Sequence, residues 1–539
     1  MAASMAVMER KVYFTVNKML CRKGNCMAPR NWNRESISSV LWVNLIVSLL
    51  VLAVAISYSV FELKASNLIY TLSAAFTLLS VWVLYSWKKV SGSIFDPYGL
   101  FIIGSVLFNG GTALLRTFFL PIDYSLFLLR HSDLMHAKAL LLILIGVAFF
   151  HMGGLLSMIR KPCPPNTKKM KDSLPCEANV TRNVGFLLLF ISIVPAFMEL
   201  HYYTSLASYG GYSSFQMRNV AHGFAGWMRI FSHLFVPGVI FVLASSRGHR
   251  FLLAGTLILI ISYSLGYFYV GSRHPAAMAL IAYAWVWHKN IRRLPTAALL
   301  MCSVVLFFVI FPMISATRMT DFRSYDMFIN YFRELFSVNN PIVVVLNETG
   351  QTIGTAIYTL ELVPKHYGYS LGMTYIAAFL SLIPNICWDI HPALEWSPAR
   401  WLASTIAPGH AALGYGFGYS FIAEAYLNFG WVGSPLIFLV FGFLIGNTAK
   451  WASRGGILDT AIIGSFLSFL LFTVRGELSE IVRPFVWYCL FPWSLAFFFA
   501  KFNLNLAIRS ATSRHTHKSS NSVGNQQDAG LDYRQKPAS

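Results

Sequence analysis

The sequence predicts an all-α fold, a polytopic transmembrane helical bundle of about twelve spans, and three observations carry that expectation. Of the 539 residues, 56% are hydrophobic and only 12% charged, too little charge for a soluble protein of this size. The apolar residues gather into runs of roughly 17–25, the length an α-helix needs to cross about 30 Å of hydrocarbon. Lipid offers no partner for backbone N–H and C=O groups, so such runs must be helical. The spans are expected at about 38–60, 66–87, 97–119, 138–158, 184–200, 229–245, 251–270, 275–288, 296–316, 431–449, 457–474 and 484–500. The eighth is short, and its neighbouring loops complete it. No internal repeat and no separate soluble domain are visible.

Flanking charge sets the orientation. Arg10, Lys11, Lys18, Arg22, Lys23, Arg30 and Arg34 precede the first span; Lys88 and Lys89 follow the second. Arg160, Lys161, Lys168, Lys169 and Lys171 follow the fourth, Arg247 and Arg250 the sixth, and Lys289, Arg292 and Arg293 the eighth. Lys450 and Arg454 follow the tenth, and Lys501 the twelfth. Every even-numbered connection is therefore basic, which places both termini in the cytoplasm. The expected organisation is a basic cytoplasmic N-terminus over 1–37, spans one to nine over 38–316, a large external loop over 317–430, spans ten to twelve over 431–500, and a polar, disordered cytoplasmic tail over 501–539. Within the loop, "TIGTAIYTLELVP" and "LGMTYIAAFLSLIP" are too short to span and read as surface-lying or re-entrant helices. The first apolar stretch lacks a small-residue cleavage site and reads as a retained span.

Several function classes drop out. The net charge of +20 is spread through short loops and accompanies no nucleic-acid docking motif. Seven cysteines at irregular spacing give neither a disulfide framework nor a standard zinc ribbon. No G-x-x-x-x-G-K-[ST] loop, H-E-x-x-H or G-x-S-x-G motif occurs. Nor is there a D-x-D, the pattern by which many sugar-nucleotide enzymes hold a divalent metal.

What remains is a set of charged and glycine-rich segments on the external side. That side carries only Lys64, Lys138 and Lys365 as lysines, against a several-fold excess of arginine. Arginine presents a planar fork of donors suited to phosphate and carboxylate. Most of the glutamates lie on the same side, so some of these arginines have carboxylate partners available. In "YVGSRHP" (269–275), Arg273 stands at the membrane edge between two spans, either as an anion ligand or as a snorkelling helix-end residue. In "ISATRMTDFRSYD" (314–326), Arg318 and Arg323 emerge where a span leaves the membrane. The stretch 407–436 alternates Gly414, Gly416 and Gly418, holds His410 just before them, then continues into a helix carrying Glu424 and, four residues on, Asn428. A carboxylate in so apolar a helix is costly unless used or paired. In "VRGELSEIVRPF" (474–485), Arg475, Ser479 and Arg483 recur at i, i+4 and i+8, the spacing of one helical face, with Glu477 and Glu480 beside them; a salt-bridge cluster is the plain alternative.

Between about 265 and 485 the chain resembles the bacterial O-antigen polymerase (Wzy-type) family of oligosaccharide repeat-unit polymerases. The resemblance rests on "GSR", "ISATR", "YGYSLGMTYIAAFLSLIPNICWDIHP", "GYGFGYSFIAEAYLNFGWVG" and the late "RGEL". "IAEAYLNFGWVG" is the most specific part; "GYGFG" is also similar to O-antigen ligases. The resemblance implies a helical, glycosyltransferase C-like membrane fold. It implies an enzyme with no cofactor and no required metal, acting outside the bacterial inner membrane on repeat units carried by undecaprenyl pyrophosphate. The growing glycan leaves its lipid pyrophosphate and joins a new lipid-linked unit, with a chain-length regulator protein as a further partner. On that reading Arg273, Arg318, Arg323, Arg475 and Arg483 bind pyrophosphate. Glu424 is the first candidate for base or orienting carboxylate, with Glu477, Glu480 and His410 behind it. Tyr415, Phe417, Tyr419 and Trp431 offer rings for sugars, or for anchoring at the membrane interface. An O-antigen ligase and a polysaccharide transporter or flippase are the competing readings.

Overall fold

The computed structural model describes residues 34–501, apart from 62–64, 124–130, 160–173, 217–223, 315–328, 331, 335, 337–339, 384, 386–387 and 413. The basic N-terminus, the polar tail, Arg318 and Arg323 thus lie outside the described residues. The described residues are helical throughout, with no strand among them. Among them, ten helices are long and apolar enough to cross a membrane, and Ser38–Val51 adds a shorter apolar segment. The expected eighth span is the helix Arg273–Val286, which runs on through a wide turn, Trp287–Ile291.

The centre of the molecule is the helix Asp133–Ile159, almost wholly enclosed by protein. Arg34–Phe61, Ala65–Ser91 and Phe421–Ala452 pack on it. Phe421–Ala452 lies closest, because small residues let the two backbones approach. A Cβ placed on Gly442 would stand 1.9 Å from the Phe150 carbonyl oxygen, and one on Gly153 would stand 1.9 Å from that of Leu439. Beside this core, Leu174–Gln216 packs on Phe235–Ser245, which in turn meets Ile457–Leu470, and Arg273–Val286 lies against both of these.

Local chemistry decides where the helices begin. Asp96 accepts from the Gly99 amide at 2.7 Å, with Pro97 at the first helical position, so a span starts at Pro97. Ser420 caps Phe421–Ala452 through the Ile422 amide at 3.2 Å and donates to Asn109 Oδ1 at 2.7 Å.

Phe421–Ala452 begins ten residues before the expected start of span ten. It is broken at Gly430, whose φ of 59° and ψ of −158° no side chain adopts without strain. Beside the break, the amides of Ser370 and Leu371 donate to the Leu427 and Asn428 carbonyls at 3.0 and 3.2 Å. The short helices between 341 and 412 differ in burial. Ile353–Leu362 is packed into the bundle, whereas Met373–Leu380 buries Thr374, Ala377 and Ala378 and leaves Ile376 and Phe379 exposed.

Gly442→Val drives a side chain into the Phe150 carbonyl, an overpacking that costs about 1–3 kcal/mol. Thermal unfolding in detergent is expected at a clearly lower temperature for that variant. Gly255→Ala, a position with nothing within 4 Å, is expected to unfold with the wild type.

Candidate active site

Four segments distant in sequence meet at one end of the bundle: the first limb of Phe421–Ala452, the helix Met373–Leu380, the turn over 475–478, and the start of the helix Pro398–Ile406. Glu424 joins three of them. It is 2% exposed. Its Oε1 accepts from the Thr374 hydroxyl at 2.8 Å, and its Oε2 accepts from the Leu478 amide at 2.8 Å. Asn428, one turn on, donates to the Thr374 hydroxyl and to the Glu424 carbonyl, each at 2.8 Å, and accepts from the Gly372 amide at 2.9 Å. Both carboxylate oxygens are thus engaged in a closed polar network, the condition under which a buried carboxylate is tolerated.

Glu477 is buried beside it and does a second positioning task. Its Oε2 accepts from the Ala399 amide at 2.9 Å and the Ser397 hydroxyl at 3.0 Å, at the N-terminus of Pro398–Ile406, where the helix dipole favours negative charge. Its Oε1 accepts from the Ser479 hydroxyl at 2.8 Å. Glu480 differs from both. Its side chain is exposed. Its charge lies within electrostatic reach of Glu477 and Arg229.

The expected single face over Arg475, Ser479 and Arg483 is corrected. Leu471–Arg475 is a tight turn, Gly476 is extended (φ −135°, ψ 177°), and a new helix, Ser479–Phe485, starts after it. Gly476 therefore separates Arg475 from the other two, while Ser479 and Arg483 remain one turn apart. Arg475 is half-buried and points toward the glycine-rich turn, its Nη2 donating to the Phe417 carbonyl at 3.4 Å. That approach needs Gly418, at φ +72°, whose Cβ would meet the Arg475 guanidinium at 3.2 Å. Arg483 is exposed.

The other expected site residues lie elsewhere or are enclosed. The Arg273 fork grips Glu348: Nη1 donates to Oε2 at 2.8 Å and to the Phe311 carbonyl at 3.1 Å, while Nη2 holds Oε1. Tyr419 is corrected as a sugar-facing ring. It is 0% exposed, and its hydroxyl is shared with Thr359 at 2.7 Å. Burial pushes its phenol well up, so it stays neutral. Tyr415 and Phe417 are half-buried, and Trp431 packs against Tyr426. His410 is exposed and lies against Tyr415, with no described contact to the carboxylates. Thr374, Ser397 and Glu348 went unremarked in the sequence. Nothing near Thr374 or Ser397 in the chain marks them, and Glu348 lies 75 positions from its arginine. Among the described residues no group of three or more His, Cys, Asp or Glu side chains could hold a metal ion.

With ten candidate spans among the described residues and two buried carboxylates hydrogen-bonded at one end, the chain is a multi-pass membrane protein with a built polar site. More particularly, the chain belongs to the O-antigen polysaccharide polymerase Wzy family, whose model matches residues 40–505. It is therefore an enzyme of O-antigen repeat-unit polymerisation, a family whose substrates are lipid-linked repeat units. No curated protein and no solved structure matches it.

Arg273→Ala is expected to cost about 1–2 kcal/mol, since it strands the partly exposed Glu348 carboxylate. The Arg273→Ala/Glu348→Ala double variant is expected to recover much of that stability and to extend chains like the wild type. Thermal unfolding and gel profiles of the polymer check both; a double variant that unfolds normally but makes no polymer points instead to a ligand role for Arg273.

Proposed function

We propose that this polymerase works at the external face of the inner membrane, with both termini cytoplasmic, about twelve spans and a glycosyltransferase C-like arrangement, on repeat units carried by undecaprenyl pyrophosphate. The observation that carries the site assignment is the contrast among three neighbouring glutamates. Glu424 and Glu477 have their oxygens taken up by amides and hydroxyls that hold the site together, and Glu480 beside them is exposed.

Glu480 is accordingly the general base, and Glu424 and Glu477 are positioning residues. The acceptor sugar hydroxyl gives its proton to Glu480 as its oxygen bonds to the anomeric carbon of the donor glycan. The bond from that carbon to the pyrophosphate oxygen breaks, and its electron pair leaves with the lipid pyrophosphate. Arg475 and Arg483 stabilise the charge that develops there, with Arg318 and Arg323 as further ligands. Arg273 moves from the ligand set to the frame, since its fork is engaged by Glu348. Activation is stored in the glycosyl pyrophosphate, so neither a nucleotide nor a metal enters the step. Exposed or half-buried rings at Tyr415 and Trp431 fit the sugar-contacting role better than Tyr419.

Reconstituted with lipid-linked repeat units, Glu480→Gln is expected to lower turnover by about 10²–10³-fold with unchanged thermal stability, and a chelator to leave the wild type unaffected. Glu424→Gln should lower turnover and melting temperature together, because a donor amide replaces one of its two acceptor oxygens. Full turnover in Glu480→Gln removes it from the base role. Reporter fusions are expected to place residue 368 outside the cytoplasm and residue 539 inside; the reverse sidedness overturns the external site.

A further inference from the structure

A second polar cluster lies beside this site, at the ends of spans where charge is expensive. Glu199, in the span Glu177–Ser208, has a carboxylate that is 10% exposed and accepts from the Tyr203 hydroxyl at 2.6 Å and from the Ser232 hydroxyl. Arg229, at the start of Met228–Ser245, pairs with it at 3.6 Å and is 41% exposed. Tyrosines surround the pair. Tyr263 stacks on Phe235 at 5.3 Å and meets Tyr267 at 4.8 Å. Tyr488 stacks on the exposed His233 at 5.9 Å with 14° between planes. Tyr488 sits in a wide π-helical turn, Val486–Leu490, a geometry over-represented at functional sites.

The cluster is continuous with the proposed active site. Arg229 lies within electrostatic reach of Glu480, and Arg483 within reach of Tyr488. Its own charge balance excludes the diphosphate as its natural occupant, because Glu199 neutralises Arg229. Half-buried rings and a carboxylate–guanidinium pair match a different chemistry: the apolar face of a sugar ring against an aromatic, and its hydroxyls against paired charged groups. A packing role alone would favour apolar side chains at these depths.

We propose that Arg229, Tyr263 and Tyr488 form a subsite for a sugar ring of the lipid-linked repeat unit, next to the carboxylate that takes the proton, with Glu199, whose oxygens are taken up by Tyr203, Ser232 and Arg229, as the positioning residue that holds the guanidinium. This subsite rests on the polymerase reading and adds to it the residues that select the sugar. A site built to hydrogen-bond hydroxyls discriminates strongly against a sugar that lacks them, so this cluster sets which repeat unit is accepted.

The test uses the full chain in lipid nanodiscs and, as probe, the phosphate-free single repeat-unit oligosaccharide of the host's own polymer. Wild type is expected to be inhibited by the oligosaccharide, and the inhibition constant to rise about tenfold or more in Glu199→Gln and Tyr488→Leu. Inhibition by sugar-free undecaprenyl pyrophosphate is expected to stay within about twofold, since the diphosphate is held elsewhere. His233→Ala, at an exposed position, serves in the same way if either variant fails to fold. Varying a single-unit acceptor against a fixed short-polymer donor, and the reverse, assigns the ring: KM rises for the acceptor alone or for the donor alone. Folded variants with wild-type inhibition constants and wild-type KM for both substrates overturn the subsite, as does an equal loss of lipid pyrophosphate inhibition. A wild-type protein that makes no polymer at all would instead strike the function itself.

Discussion

Glu424 is the constraint around which one end of the helical bundle is arranged. A carboxylate in an apolar helix must find donors, and none come from lipid. Thr374 supplies one and the Leu478 amide the other, so one side chain draws Met373–Leu380 and the turn over 475–478 onto Phe421–Ala452. Glu477 then extends the arrangement by one step, receiving the N-terminus of Pro398–Ile406. Helices that share little apolar surface are joined by charge-assisted hydrogen bonds, which are stronger than neutral ones.

That arrangement divides labour among residues of one chemical type. Glu424 and Glu477 spend their oxygens on hydrogen bonds that hold geometry, and Glu480 beside them is exposed. The same division runs through the arginines. Arg273 binds Glu348 and thereby ties Pro341–Gly350 to the span that begins at Arg273, while Arg475 bends toward the glycine-rich turn and Arg483 stands exposed. A guanidinium gripped by a carboxylate contributes rigidity to the frame.

Much of this was legible in the sequence. Span length and apolar content mark the membrane helices directly, and Glu424 with Asn428 stands out as a polar pair at helical spacing in an apolar stretch. The eighth span was short in the sequence, and the helix Arg273–Val286 is short in the structure. Pairings between distant segments were not legible. Glu348 gives no local sign that it will meet Arg273, and Ser397 gives none that it will meet Glu477, 80 residues later. The face drawn through Arg475, Ser479 and Arg483 assumed an unbroken helix, and the extended Gly476 interrupts it. Tyr419 was one of four rings offered for sugar or for the membrane interface, but its hydroxyl is shared with Thr359 inside the bundle.

The interruption at Gly430 has a consequence for how the two halves of one long helix can vary. Unbroken, the 32 residues of Phe421–Ala452 would form a rod of about 48 Å with a single rotational phase, each residue advancing it by about 100°. That phase would have to suit Thr374 and Leu478 at one end and the glycine seam along Asp133–Ile159 at the other. With the phase reset at one residue, the limb bearing Glu424 answers to its hydrogen bonds and to the packing of Phe421 on Phe101 and Phe150, and the limb beyond Gly430 to its close backbone contacts. Geometry therefore permits the half bearing Glu424 to be retuned by substitution while the half beyond Gly430 keeps its footing.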